Sequence, residues 1–113
     1  MYLLNAFSLN MLAGNADIHV REVSLATARN LARVATSAVG HADTAAVFAD
    51  VLGTDVPCNR VSVTLNVGDT TLVGQYSGPR LAEGAACLPE GATIKWLIVG
   101  VSKWLIDEAG VDG

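Results

Sequence analysis

His41 directly follows a glycine and stands at the predicted entrance of a helix, while Arg80 and Glu83 lie three residues apart in a loop rich in glycine and proline. Asn5 and Ser8 follow the first predicted strand, and Arg60 and Gln75 fall beside and within a predicted hairpin. Guanidinium, amide and hydroxyl groups bind anions, and imidazole moves a proton near neutral pH. Helix N-termini add free N–H groups to such a site, and in α/β domains ligands collect where strands end. Each residue also has an ordinary structural role open to it. Asn5 and Ser8 suit a turn and an N-cap, His41 a solvated loop, and Arg80 with Glu83 an exposed ion pair of little worth. Asp43 and Thr44 suit a first helical turn favoured by the dipole, and His19 reads as an exposed strand residue. No Walker loop, GxGxxG, GxSxG, HExxH or zinc-ribbon spacing is present.

The elements that must position these residues follow from hydropathy patterning. The 113 residues are 51% apolar and 16% charged, enough core material for one domain and too apolar for a disordered chain. A net charge of −4 disfavours a duplex DNA binder, although a few arginines suffice for a small anion. Residues 2–6 read as a strand, Ser8 caps a short helix over 9–13, and 17–23 alternate as a second strand. Ser24 starts a helix whose apolar positions Leu25, Ala28, Ala32, Ala35 and Val39 carry it to Gly40. A second helix buries Ala45, Phe48, Ala49 and Leu52 and stops at Gly53. Residues 61–67 alternate, and Gly68-Asp69 turns them onto 70–76 as a hairpin, with Val67 opposite Thr70 and Ser62 opposite Gln75. That register gives Gln75, Ser62, Thr64 and Arg60 one shared polar face. Residues 94–102 read as a central strand buried on both faces. The sum is a single α/β domain with a mixed sheet of about five strands flanked by helices. Cys58 and Cys87 form no CxxC pair and read as reduced thiols. With no secretory pattern at the start and no apolar run long enough to span a bilayer, the chain reads as soluble and cytoplasmic.

Several blocks resemble one known family. Asn5-Ala6-Phe7-Ser8-Leu9-Asn10-Met11-Leu12 is similar to the start of the viral ring nucleases, the type III anti-CRISPR enzymes of archaeal viruses, phages and related bacterial elements. Ser37-Ala38-Val39-Gly40-His41-Ala42-Asp43-Thr44, the Leu52-Gly53-Thr54 and Asn59-Arg60-Val61 stretches, and Gly78-Pro79-Arg80-Leu81-Ala82-Glu83-Gly84 resemble it in the same order. The likeness covers residues 1–102, and a tail of 103–113 falls outside it. It implies a homodimer that degrades cyclic tetra-adenylate, the second messenger of type III CRISPR immunity. It also implies His41 as catalytic histidine, Arg80 and Glu83 near the scissile bond, and Asn5, Ser8, Arg60 and Gln75 as ligand-holding positions. Thr44 keeps a ligand-binding place in that pattern. Many viral members read Asp-Ser-Thr after the histidine where this chain has Ala42-Asp43-Thr44, and one extra residue falls between Gln75 and Arg80.

The implied reaction suits these residue types. The ribose 2′-hydroxyl of the substrate is its own nucleophile, so the protein must align it with phosphorus and the leaving 5′-oxygen and protonate that oxygen, a task for His41. Arg80 would offset charge on the phosphoryl oxygens, and Glu83 would orient His41 or Arg80, or accept from the 2′-hydroxyl. No metal or cofactor is expected. A four-nucleotide ring has two-fold symmetry, which a C2 pair of chains reads with one residue set per half. The alternatives are a non-catalytic sponge for the same ring, and a structural or regulatory homodimer unrelated to nucleotides.

Overall fold

The computed structural model describes residues 1–104, and the remainder of the predicted tail lies outside the described residues. Three strands share one direction. They are β1 (Tyr2–Leu4), β3 (Thr36–Ser37) and β4 (Thr70–Ser77), with β1 pairing parallel to both of the others. Two further strands, β2 (Ala16–Val23) and β5 (Thr93–Lys103), complete the mixed five-stranded sheet in the order β2-β5-β4-β1-β3. β5 runs antiparallel to both neighbours, from Ala16↔Lys103 to Val23↔Trp96 on one side and from Thr70↔Gly100 to Ser77↔Thr93 on the other. The apolar 94–102 run is therefore an interior strand, as its composition implies.

Both helices, α1 (Leu25–Ala32) and α2 (Ala42–Leu52), pack on one face of the sheet. Their Ala28, Ala32, Ala45, Phe48 and Leu52 meet Leu3, Leu72 and Trp96 from alternate strand positions. Ser24 caps α1 by accepting from the Thr27 N–H at 3.2 Å. Arg29 donates from Nε and Nη2 to the Val51 carbonyl at 3.2 and 3.1 Å, closing the last turn of α2. Gly53 ends α2 in the left-handed conformation, φ 66°. The opposite face carries Leu4, Val73 and Val99, covered by Phe7, Met11 and Val63 from two connecting segments.

Gly74 of β4 lies against the aromatic pair on the helix-covered face. A Cβ there would lie 2.6 Å from both the Phe48 and the Trp96 ring. Gly74→Ala is therefore expected to cost about 1–3 kcal/mol by overpacking, read as a lower denaturant midpoint with an unchanged slope.

Two expectations fail here. The helix predicted from Ser24 to Gly40 ends at Ala32, and residues 36–37 become β3. Ala35 and Val39 continue the helical spacing, but the free edge of β1 competes for the backbone. The Thr36 N–H donates to the Met1 carbonyl at 2.8 Å and the Ala38 N–H to the Leu3 carbonyl at 2.9 Å. Branched Val34 and Thr36 suit that exchange. The hairpin of 61–67 with 70–76 does not form, because both edges of β4 are taken by β1 and β5. The turn itself is real: the Asp69 N–H donates to the Asn66 carbonyl, and Asp69 Oδ2 accepts from the Asn66 N–H at 2.7 Å. Residues 61–67 instead cross the second sheet face, where buried Leu65 bridges to Leu12. Val67 does not oppose Thr70, nor Ser62 Gln75, so the shared polar face of Gln75, Ser62, Thr64 and Arg60 is not built. Among the described residues no helix is long and apolar enough to cross a membrane. Cys58 and Cys87 are free and exposed.

Candidate functional site

The parallel strands β3, β1 and β4 deliver their carboxyl ends to one edge of the sheet, the place where α/β folds bind ligands. Asn5 leaves β1 there, residues 38–41 leave β3, and residues 78–83 leave β4. His41 is the N-cap of α2, with extended φ −122° and ψ 127°, and its side chain makes no capping hydrogen bond. The imidazole is thus not spent on the helix's own N–H groups.

Two concavities meet at His41. One, of about 400 Å³, is lined by Asn5, Ala38, Gly40, His41, Arg60, Val61 and Ser62. Arg60 Nε donates to the Gly40 carbonyl at 2.9 Å, which fixes the guanidinium beside the residue preceding His41. The chain around Arg60 is held from below. Ser37 Oγ donates to the Pro57 carbonyl at 2.7 Å, Asn59 Nδ2 to the Ser37 carbonyl at 2.7 Å, and the Asn59 N–H to the Val39 carbonyl at 2.8 Å. The residues after β3 and those before Arg60 are therefore tied together by three hydrogen bonds. Gly40 suits this approach, since a Cβ there would sit 3.0 Å from Arg60 Cγ and the arginine would have to give way by a few tenths of an ångström.

The second concavity, of about 630 Å³, is lined by His41, Asp43, Thr44, Tyr76, Arg80 and Glu83 with Gly78 and Leu81. Its wall is the loop after β4. Tyr76 donates its hydroxyl to the Pro79 carbonyl, and Gly78 adopts φ 152° with Ala92 so close that a Cβ would lie 2.7 Å from its Cβ. The Gly84 N–H donates to Asp43 Oδ1 at 3.0 Å, tying the far end of the loop to the first turn of α2.

The structure thus brings His41, Thr44, Arg80 and Glu83 around one cavity and Asn5 and Arg60 around the other. Ser8 and Gln75 line neither. Ser8 is exposed and caps the 3-10 turn Leu9–Met11 by accepting from the Asn10 N–H at 3.2 Å. Gln75 is exposed beside Lys95 on the sheet face turned away from α2, while the next residue, Tyr76, faces the cavity. His19 bonds Ser102 Oγ at 2.8 Å on the exposed sheet, away from both concavities. Sequence reasoning missed Tyr76 and Asp43. Strand parity opposite to Gln75 could have found the first, but a first-turn aspartate carries no signal that it holds a distant loop. Among the described residues no three His, Cys, Asp or Glu side chains gather as a metal site.

Fold and site together define a small α/β domain that offers an imidazole between two polar hollows at the ends of parallel strands. The chain belongs to the STIV B116-like family, whose model matches residues 1–93. It is 32% identical over 111 residues to uncharacterized protein 26 of Sulfolobus islandicus filamentous virus (isolate Iceland/Hveragerdi), covering 95% of this chain and 90% of that protein. Its fold superimposes on B116 of Sulfolobus turreted icosahedral virus with a TM-score of 0.75 and 27% identity, over 88% of this chain and 97% of B116.

Proposed function

We propose that this chain is a metal-independent ring nuclease that opens cyclic tetra-adenylate to linear adenylates with 2′,3′-cyclic phosphate ends, and so switches off type III CRISPR signalling. The observation that carries the reading is the position of His41, at the mouth of α2 with a side chain that makes no capping hydrogen bond, and shared by the Arg60 and Arg80 cavities. A strand of nucleotides laid across His41 would put one nucleotide in each hollow, with the phosphate between them beside the imidazole. The viral origin of both relatives is in keeping with a family of archaeal virus enzymes.

In this reaction the 2′-oxygen of the substrate attacks the adjacent phosphorus, the P–O5′ bond breaks, and imidazolium of His41 gives its proton to the departing 5′-oxygen. The 2′-hydroxyl proton passes to Glu83 or to water. The free N–H groups at the start of α2 and the Arg80 guanidinium stabilise charge on the phosphoryl oxygens. Arg60 and Asn5 hold the neighbouring nucleotide. Ser8 and Gln75, outside the hollows of one chain, serve the ligand only if it extends beyond them, as a ring seated between two copies would. Such a pair brings Arg60 and Arg80 twice, four cationic groups for four phosphates, which reconciles the ligand with a chain of net charge −4.

Incubated with excess cyclic tetra-adenylate in EDTA, the protein is expected to convert the ring to linear products over many turnovers, followed by chromatography and mass spectrometry. Binding with the ring recovered intact would leave a sponge and overturn the proposal, and so would failure to bind at micromolar protein.

A further inference from the structure

We infer that Asp43 is a positioning residue that sets the Arg80–Glu83 loop against His41, an inference that rests on the catalytic reading above. Asp43 lies two residues after His41 in α2 and lines the same cavity as His41, Arg80 and Glu83. Its carboxylate does not cap its own helix; Oδ1 accepts the Gly84 N–H at 3.0 Å, 41 residues further along the chain. This contact falls one residue beyond Glu83.

The other end of the loop is fixed differently. Tyr76 holds the Pro79 carbonyl, and Gly78 is pressed against Ala92. Arg80 to Glu83 therefore form a short span anchored to β4 at one end and to α2 at the other. Only the α2 anchor refers the loop to the helix that carries His41. A charge-assisted hydrogen bond to a backbone N–H is stronger than a neutral one and directional, which suits the task. Loss of it leaves the loop attached to the sheet but free to shift relative to the imidazole, and a displacement near 1 Å at reacting groups costs about 10²-fold in rate.

The test pairs Asp43→Ala with Asp43→Asn, which keeps an oxygen acceptor at the same place. In steady-state cleavage of cyclic tetra-adenylate, Asp43→Ala is expected to lower kcat about 10–100-fold with KM changed by less than about 3-fold, and Asp43→Asn to restore most of the rate. Amide hydrogen exchange of Gly84, measured by NMR on the free protein, gives a readout independent of turnover. That N–H should be protected in the wild type and in Asp43→Asn and exchange freely in Asp43→Ala. A purely structural aspartate at the helix start would lower the melting temperature without moving the kcat-to-KM split, and that pattern overturns the inference. Equal Gly84 exchange in wild type and Asp43→Ala also overturns it, whatever the activity. If the wild type cleaves nothing while Gly84 protection follows the acceptor, the contact stands as a loop anchor and the catalytic reading is what fails.

Discussion

His41→Ala is expected to cut the rate of ring opening about 10²–10⁴-fold, the range that removal of a general acid produces, while binding of the intact ring changes only a few-fold. The two effects separate because, in the proposed reaction, the imidazole acts on the leaving oxygen, whereas affinity for the polyanion would come from Arg60, Arg80 and the first N–H groups of α2. None of those groups depends on the His41 side chain. Arg60 is held by the Gly40 carbonyl, the 80–84 loop by Asp43 and Tyr76, and the first turn by its own backbone. Losing an N-cap that makes no side-chain hydrogen bond should also leave α2 intact. Single-turnover rates with excess protein, set beside calorimetric titration of the variant with the ring, give both quantities. Wild-type cleavage by His41→Ala would remove the mechanism, and equal loss of binding and rate would make His41 a ligand contact rather than an acid.

The parts of the fold that could be read in advance are those decided by local chemistry. Gly53 had to end α2 because the chain there enters the left-handed region. Phe48 and Leu52 had to face inward because their spacing matches a helix and no polar residue interrupts the stripe. The failures share another cause. Residues 61–67 alternate as well as any strand, yet alternation says only that one side is buried, not what buries it. The partner was decided by β1, a three-residue strand too short to signal its importance, which claims β4 on one edge and recruits Thr36 and Ser37 on the other. Such choices are non-local and leave no trace in a window of ten residues.

The site divides in the same way. His41, Arg60, Arg80 and Glu83 stood out as polar residues where elements start or stop, and these line the hollows. Gln75 was tied to Arg60 through a hairpin register that does not exist, so its neighbours were misplaced even though its strand was right. Asp43 was invisible because its partner is a backbone N–H, and a backbone donor has no residue type to recognise.

Phe48→Ala should be the most damaging single change to stability, about 3–5 kcal/mol. Phe48 is fully buried and meets Trp96 edge to face, with ring centroids 5.0 Å apart and planes at 64°. This pair joins α2 to β5 across Gly74 of β4, so its loss removes apolar contact and the aromatic geometry worth about 0.5–1.5 kcal/mol beyond area. Against a typical net stability of about 5–15 kcal/mol, the variant should melt about 10–20 °C lower by calorimetry. The consequence reaches the site, because α2 starts at His41 and carries Asp43 in its first turn. Activity per folded molecule should therefore fall as well, in step with a helix that no longer has one position on the sheet. Coupling to Gly74 supplies the sharper check. The Cβ of Gly74→Ala meets the Phe48 ring and the Trp96 ring alike, and truncating Phe48 clears one of the two obstructions. The double variant Gly74→Ala, Phe48→Ala should thus cost less than the sum of its parts, by about 0.5–3 kcal/mol in denaturant titration. Strict additivity would mean that the helix does not press on β4 through this ring, and that something other than Phe48 sets the height of His41 above the strand ends.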